Sequence, residues 1–389
     1  MKKREIRYGG SMCDKQEYKA LIKSIKGSIK SGGWQQGEQG ALMEKECANF
    51  LTVKHGILTN SGSSAGLLAL SALELPRGSE VIISAVTFPT IFNIIIQCGL
   101  VPVVIDAKVG TYNLDVDDVE KAITKKTKAI IAIHAVGNPC DMPKLMKLAK
   151  KHNLKVIEDG CDTWGGSIND KMIGSFGDLS ITSFHAAHIV SMGVGGGIFT
   201  NNAELAQKVR QYRDWGRQAE TNKPHTCETL PKDYNPRFVY DKIGYNFQIL
   251  DLQAAMGRVQ LKKADKIKKL RQKNFNYLTK HLAKFEDLIL PSPIKGADIC
   301  WFALPLTTVG DRGELVAHLE KNGIETRSMF AGNITKHPAY KDSIYRISGD
   351  LTQANFILEH SFWIGVHPRM TKKDLEYVVK VFKDYYAKA

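Results

Sequence analysis

The chain has 389 residues, 43% hydrophobic and 24% charged, with a formal net charge of +14. This is the composition of a soluble globular protein, long enough for a large core and two domains. No run of about 18 apolar residues occurs, which excludes a membrane-spanning helix, and the lysines (Lys121, Lys125, Lys126, Lys128; Lys262, Lys263, Lys266, Lys268, Lys269) lack the aromatic interleaving of a nucleic-acid surface.

At the start, Met1-Lys2-Lys3-Arg4-Glu5 is basic but has no apolar stretch behind it, so it does not read as a signal peptide. Seven cysteines (Cys13, Cys47, Cys98, Cys140, Cys161, Cys227, Cys300), odd in number and without C-x-x-C spacing, suit a reducing compartment. Both features predict a cytoplasmic protein. The positive charge fits attraction to an anion such as a nucleotide or phosphate. It also fits a merely solvated surface, and the scatter of the lysines favours the latter.

Strand and helix patterns then alternate. Thr59-Asn60-Ser61-Gly62-Ser63-Ser64-Ala65-Gly66 precedes an apolar helix over 67–73. Small hydroxyls and backbone N–H groups at a helix start make either a capped helix or an anion seat. Residues 80–84, 102–106, 129–134 and 155–159 read as short buried strands, because continuous apolar runs bounded by polar or turn residues suit a parallel sheet covered on both faces. Residues 91–105 read as a buried helix followed by a strand, since Asn93, Gln97, Gly99 and Pro102 interrupt the apolar run, and 141–152 as a helix. This βαβ rhythm predicts a doubly wound sheet. Ligands of such sheets sit beyond the carboxyl ends of the strands, where Asp106, His134 and Asp159 fall. Residues 217–237 read as a loop. A long helix is expected over 253–284 and a strand over 300–306, so a large domain (1–264) precedes a smaller one (265–389).

The most informative stretch is Ser183-Phe184-His185-Ala186-Ala187-His188, followed by Gly193-Val194-Gly195-Gly196-Gly197. It resembles the S-F-x-x-x-K…G-x-G-G segment of the vitamin B6-dependent sugar aminotransferases, the DegT/DnrJ/EryC1/StrS family, where the Lys holds the cofactor covalently. Here that position is His188, and an imidazole exchanges protons but does not condense with an aldehyde. The resemblance implies an α/β, fold type I (aspartate aminotransferase-like) structure with a mostly parallel sheet and a smaller C-terminal α+β domain. It implies pyridoxal or pyridoxamine 5′-phosphate (PLP, PMP) as cofactor. It places the cofactor phosphate on Ser63, Ser64 and Ser183, the ring nitrogen on Asp159, the ring hydroxyl near Asp162 and the ring face on Phe88. Asp159 and Asp162 lie in Glu158-Asp159-Gly160-Cys161-Asp162, closed by Gly165, a pattern that alone reads as a helix cap. Gly244-Tyr245-Asn246 matches a segment whose Asn reaches the neighbouring subunit's phosphate, which implies a homodimer with shared active sites.

Within the family the chain is most similar to the PMP-dependent 3-dehydratases of nucleotide-linked 4-keto-6-deoxy sugars, which also carry His at the Lys position. The resemblance implies loss of the C3 hydroxyl, with glutamate as amino donor for regenerating PMP, and His188 as the catalytic base. It leaves open an aminotransferase whose Lys has been replaced, and a non-catalytic cofactor-binding homologue. The chain departs from the family in three places. After Arg217 it reads Gln218-Ala219-Glu220-Thr221, with Cys227 and Cys161 the only candidate thiols for an iron–sulfur cluster that takes four, so no cluster is expected. Val194 replaces an acidic residue, and His185-Ala186 replaces Tyr-Pro or Tyr-Ser. His134, His185, His225, His337 and His367 read as structural or surface residues, and no metal site is expected.

Overall fold

The structure, a computed structural model, describes residues 5–218, 224 and 227–387. Met1 to Arg4, Ala219, Glu220, Thr221 and His225 lie outside the described residues.

An eight-stranded sheet runs in the order His55–Thr59, Gly196–Thr200, Leu179–Ser183, Lys155–Asp159, Thr127–Ile133, Glu80–Ser84, Val101–Ile105, Arg346–Ser348. The pairs from Leu179–Ser183 onward are parallel, and Gly196–Thr200 is antiparallel to both of its neighbours. Alternate residues feed two separate cores, as the two-residue period of a strand requires. Ile83, Val104, Ile131 and Ile157 pack on one side, and Ile82, Val103, Ile130 and Val156 on the other. Both faces are therefore apolar, and helices cover each.

The helix Gly62–Ala72 starts where Ser61, in extended conformation, accepts the Ser64 N–H on its hydroxyl at 3.1 Å. The helix Met142–Lys151 is capped by Asp141 and buries Met142, Leu145, Leu148 and Ala149 on one stripe. The expected long helix over 253–284 is two helices, Asp251–Leu261 and Ala264–Leu282. The first packs on Lys15–Ser31 and the second on Lys372–Tyr386. The break falls at Lys263, whose ammonium is tied to Glu17 (2.6 Å) and Asp14 (2.9 Å) of the first partner.

The second sheet, Leu288–Ile289, Ala303–Thr308, Ser361–Gly365 and Thr326–Ser328, is antiparallel and has its own core of Leu304, Leu306, Phe362 and Ile364. The strand expected over 300–306 begins three residues later, because the preceding chain is held elsewhere. Phe302 N–H donates to Val136 (3.0 Å), and the Phe302 carbonyl accepts from the buried Arg271 at 2.6 Å. Arg346–Ser348, far along the chain, joins the large sheet, its Arg346 paired with the buried Glu80 at 2.9 Å, and Ile6 forms an isolated bridge with Ile324.

Candidate active site

A cavity of about 430 Å³ lies at the carboxyl ends of the parallel strands. The helix start after Ser61 supplies Gly62 and Ser63, Lys155–Asp159 and its following turn supply Asp159, Cys161 and Asp162, and Leu179–Ser183 with its loop supplies Ser183, His185 and His188. Phe302, Arg327, Phe330 and Trp363, from later in the chain, line the rest of it.

Of the residues singled out from the sequence, His188, Ser63, Phe88, Asp159, Asp162 and Ser183 line this one space. Ser64 stands behind it, its hydroxyl 3.0 Å from that of Ser61. Asn246 is exposed, bridged to Asp214, and does not line the cavity of its own chain. Asp106 is diverted to structure. Its carboxylate accepts the Gln353 and Ala354 N–H groups (2.9 and 2.7 Å) and so anchors the start of Thr352–His360. His367 and His337 are structural, bonded to the carbonyls of Gly10 (2.7 Å) and Ala331 (2.8 Å). His134 is fully buried beside Glu158 at 3.4 Å, yet both it and the exposed His185 line the cavity, which their structural or surface reading did not anticipate.

His188 Nδ1 faces Asp162 Oδ1 at 3.6 Å, and the imidazole lies against Phe302 with ring centroids 5.3 Å apart. Burial, helped by His185 and Arg271, pushes His188 down to about 3, so the ring is neutral at pH 7. Burial, then the Asp159 charge, pushes Asp162 up to about 7. Asp159 is also raised by burial, although it accepts the Cys161 N–H at 3.0 Å. A group whose pKa is raised on folding contributes stability below its unfolded value and loses it as pH rises through the folded one. For Asp162 that window runs from 3.8 to about 7. Asp162→Asn is therefore expected to raise the melting temperature of the cofactor-free protein at pH 8 and leave it near wild type at pH 4. Thermal unfolding at the two pH values checks this.

The cavity fits a phosphorylated pyridine at both ends. At one end, the hydroxyls of Ser63 and Ser183 meet the N-terminus of an 11-residue helix, where first-turn N–H groups favour an anion. At the other, the buried carboxylate of Asp159 makes no ion pair among the described residues and would gain one from a protonated ring nitrogen. Phe88, 57% exposed, offers a ring face between them. No lysine occurs among the described residues that line the cavity. The seat depends on Gly196, where a Cβ would lie 2.3 Å from the Ser61 carbonyl oxygen and 2.6 Å from Gly62 N. Gly196→Ala is expected to cost about 1–3 kcal/mol by overpacking, read as a lower urea midpoint, and to weaken PMP binding in an absorbance titration.

Tyr8, Thr90, Phe302, Arg327, Phe330 and Trp363 also line the cavity and were not among the site residues expected from the sequence.

The family described as the DegT/DnrJ/EryC1/StrS aminotransferase family matches residues 15–383. A dTDP-4-dehydro-2,6-dideoxy-D-glucose 3-dehydratase of Saccharopolyspora spinosa is 37% identical over 407 aligned residues, covering 99% of this chain and 87% of that protein. A GDP-perosamine synthase of Caulobacter vibrioides is 31% identical, covering 86% and 87%. The solved E. coli GDP-4-keto-6-deoxy-D-mannose-3-dehydratase with bound hydrated PLP superposes with a TM-score of 0.88 at 26% identity, covering 97% of this chain and all of that one. The architecture is that of the PLP-dependent aminotransferase fold.

Proposed function

The chain belongs to the DegT/DnrJ/EryC1/StrS aminotransferase family, whose cofactor is PLP or PMP, and from that premise we propose that it is a PMP-dependent 3-dehydratase of a nucleotide-linked 4-keto-6-deoxy sugar. The observation that carries the reading is His188, an imidazole held neutral in a cavity without a lining lysine.

When bound, PMP supplies a nucleophilic amine and an electron-accepting ring. Ser63 and Ser183, with the helix N-terminus, hold its phosphate; Ser64 caps and steadies that turn. Asp159 holds the ring nitrogen, Phe88 the ring face, and Asp162 stands near the ring hydroxyl. Asp162 faces His188 Nδ1 at 3.6 Å, and the imidazole takes up a proton and releases it to the departing C3 hydroxyl of the sugar. The apolar wall of Ile133, Phe302, Phe330 and Trp363 limits water around that transfer.

With Cys161 the only cysteine among the described residues that line the cavity and Cys227 exposed, the reaction runs without an iron–sulfur cluster. PMP is then regenerated with glutamate as amino donor. The chain acts as a homodimer. Asn246 sits on an exposed face with Trp215, Phe238, Tyr240 and Ile243, an apolar surface suited to a second copy whose phosphate Asn246 reaches. The similarity to a GDP-perosamine synthase favours one rival, amino transfer to the same class of sugar. Mass spectrometry of reactions holding PMP and CDP-, GDP- or dTDP-4-keto-6-deoxy sugars separates the two. A product that has lost the C3 oxygen supports the dehydratase, and a product that has gained an amine at C4 overturns it.

A further inference from the structure

The segment from Glu5 to Cys13 crosses the small domain and reaches the loop that carries His188. Ile6 N–H donates to Gly323 (2.8 Å) and Glu325 N–H donates to Ile6 (3.0 Å), so the segment adds to the small domain as a bridged edge. His367 Nε2 donates to the Gly10 carbonyl at 2.7 Å. Gly365 lets the crossing happen, because a Cβ there would lie 2.5 Å from Tyr8 Cα and 2.7 Å from the Arg7 carbonyl oxygen. Gly9 lies against Ala187, the residue before His188. The result is that Tyr8 stands in the cavity wall, edge-on to Trp363 with centroids 5.2 Å apart.

The same ring carries a cation. The Arg327 guanidinium lies 4.2 Å from the Tyr8 ring centroid. Its Nη1 donates to the Thr326 carbonyl (2.7 Å) and its Nη2 to Glu325 Oε1 (2.5 Å), while Glu325 Oε2 accepts the Tyr8 N–H at 3.0 Å. Arg327 is thus fixed by a ring, a carbonyl and a carboxylate, yet its side chain is 43% exposed and lines the cavity. A guanidinium carries five N–H donors in a planar fork, and these contacts leave several free. Glu325 offsets part of the charge, so selection rests on the oriented fork, which matches phosphate oxygens in a bidentate manner.

We propose that Tyr8 and Arg327 form the seat for the diphosphate of the nucleotide-linked substrate, Arg327 binding the phosphate oxygens and Tyr8 positioning the guanidinium. The assignment rests on the nucleotide-sugar reading above. It explains why a segment about 180 residues distant in sequence is pinned beside the His188 loop.

The test titrates the PMP-loaded protein with CDP, GDP and dTDP by calorimetry. The wild type binds at least one of them; Arg327→Gln and Tyr8→Ala each weaken that binding by roughly tenfold or more, the scale of a lost charged hydrogen bond. Tyr8→Phe, which keeps the ring, recovers most of the loss. PMP binding, followed by absorbance, stays within about twofold throughout. Nucleotide binding unchanged in Arg327→Gln overturns the seat and leaves the nucleotide-sugar reading standing. A wild type that binds PMP but none of the three nucleotides overturns both. Should Tyr8→Ala fail to fold, seen in its circular dichroism, Arg327→Gln carries the decision alone.

Discussion

Replacing His188 with asparagine is expected to lower turnover by roughly 10²–10⁴-fold, the range of general acid–base catalysis, while PMP binding holds. The side chain is polar and smaller than imidazole, so it fits the same place, but it has no site that titrates. The loss should fall on kcat rather than KM, because His188 is assigned no part in holding the substrate. His188→Lys separates proton transfer from anchoring. The lysine amine can join the aldehyde of PLP, so borohydride treatment should leave a covalent mass gain in the variant, and dehydration should fall with it. A variant that dehydrates at the wild-type rate would remove His188 from the mechanism.

The second large effect is expected at Asp159. Asp159→Asn removes the charge that keeps a ring nitrogen protonated; losing a charged hydrogen bond of about 1.5–3 kcal/mol corresponds to roughly 10–150-fold in turnover. Its effect on stability runs the other way. Burial raises the pKa of Asp159 above 3.8, so its contribution is present below that value and is lost as pH rises. Once ionised in the cofactor-free wild type, Asp159 is a buried carboxylate with no ion pair among the described residues, and asparagine relieves that cost. The cofactor-free variant should therefore melt higher than wild type at pH 7 and lose the advantage when PMP is added, a reversal that thermal unfolding with and without PMP would show. A variant that melts lower in both conditions would mark Asp159 as structural.

Four of the parallel strands were legible because their apolar runs match a sheet covered on both faces, and the end of Lys155–Asp159 carried Asp159 into the cavity with it; Ser183 ends Leu179–Ser183, a strand not read from the sequence. The helix start at Ser61 was readable from its hydroxyls. Other features depend on contacts that no local pattern encodes. Asp106 sits at a strand end like Asp159, but a helix some 250 residues later in the chain claims its carboxylate. The break at Lys263 exists because the helices on either side pack on different partners, Lys15–Ser31 and Lys372–Tyr386. Tyr8 and Arg327 meet only when the first described residues cross the small domain. Arg271, buried behind Phe302 and acting on His188 and Asp162 through its charge, looks in sequence like one more basic residue of a solvated helix.

The central claim is that the imidazole of His188 moves the proton while the cofactor stays untethered. Its most direct measurement is deuterium entry from D₂O into the methylene carbon of PMP, followed by NMR with the nucleotide 4-keto sugar that binds best. The account predicts rapid exchange in the wild type and exchange slower by at least roughly a hundredfold in His188→Asn. Equal exchange in the two proteins would contradict it.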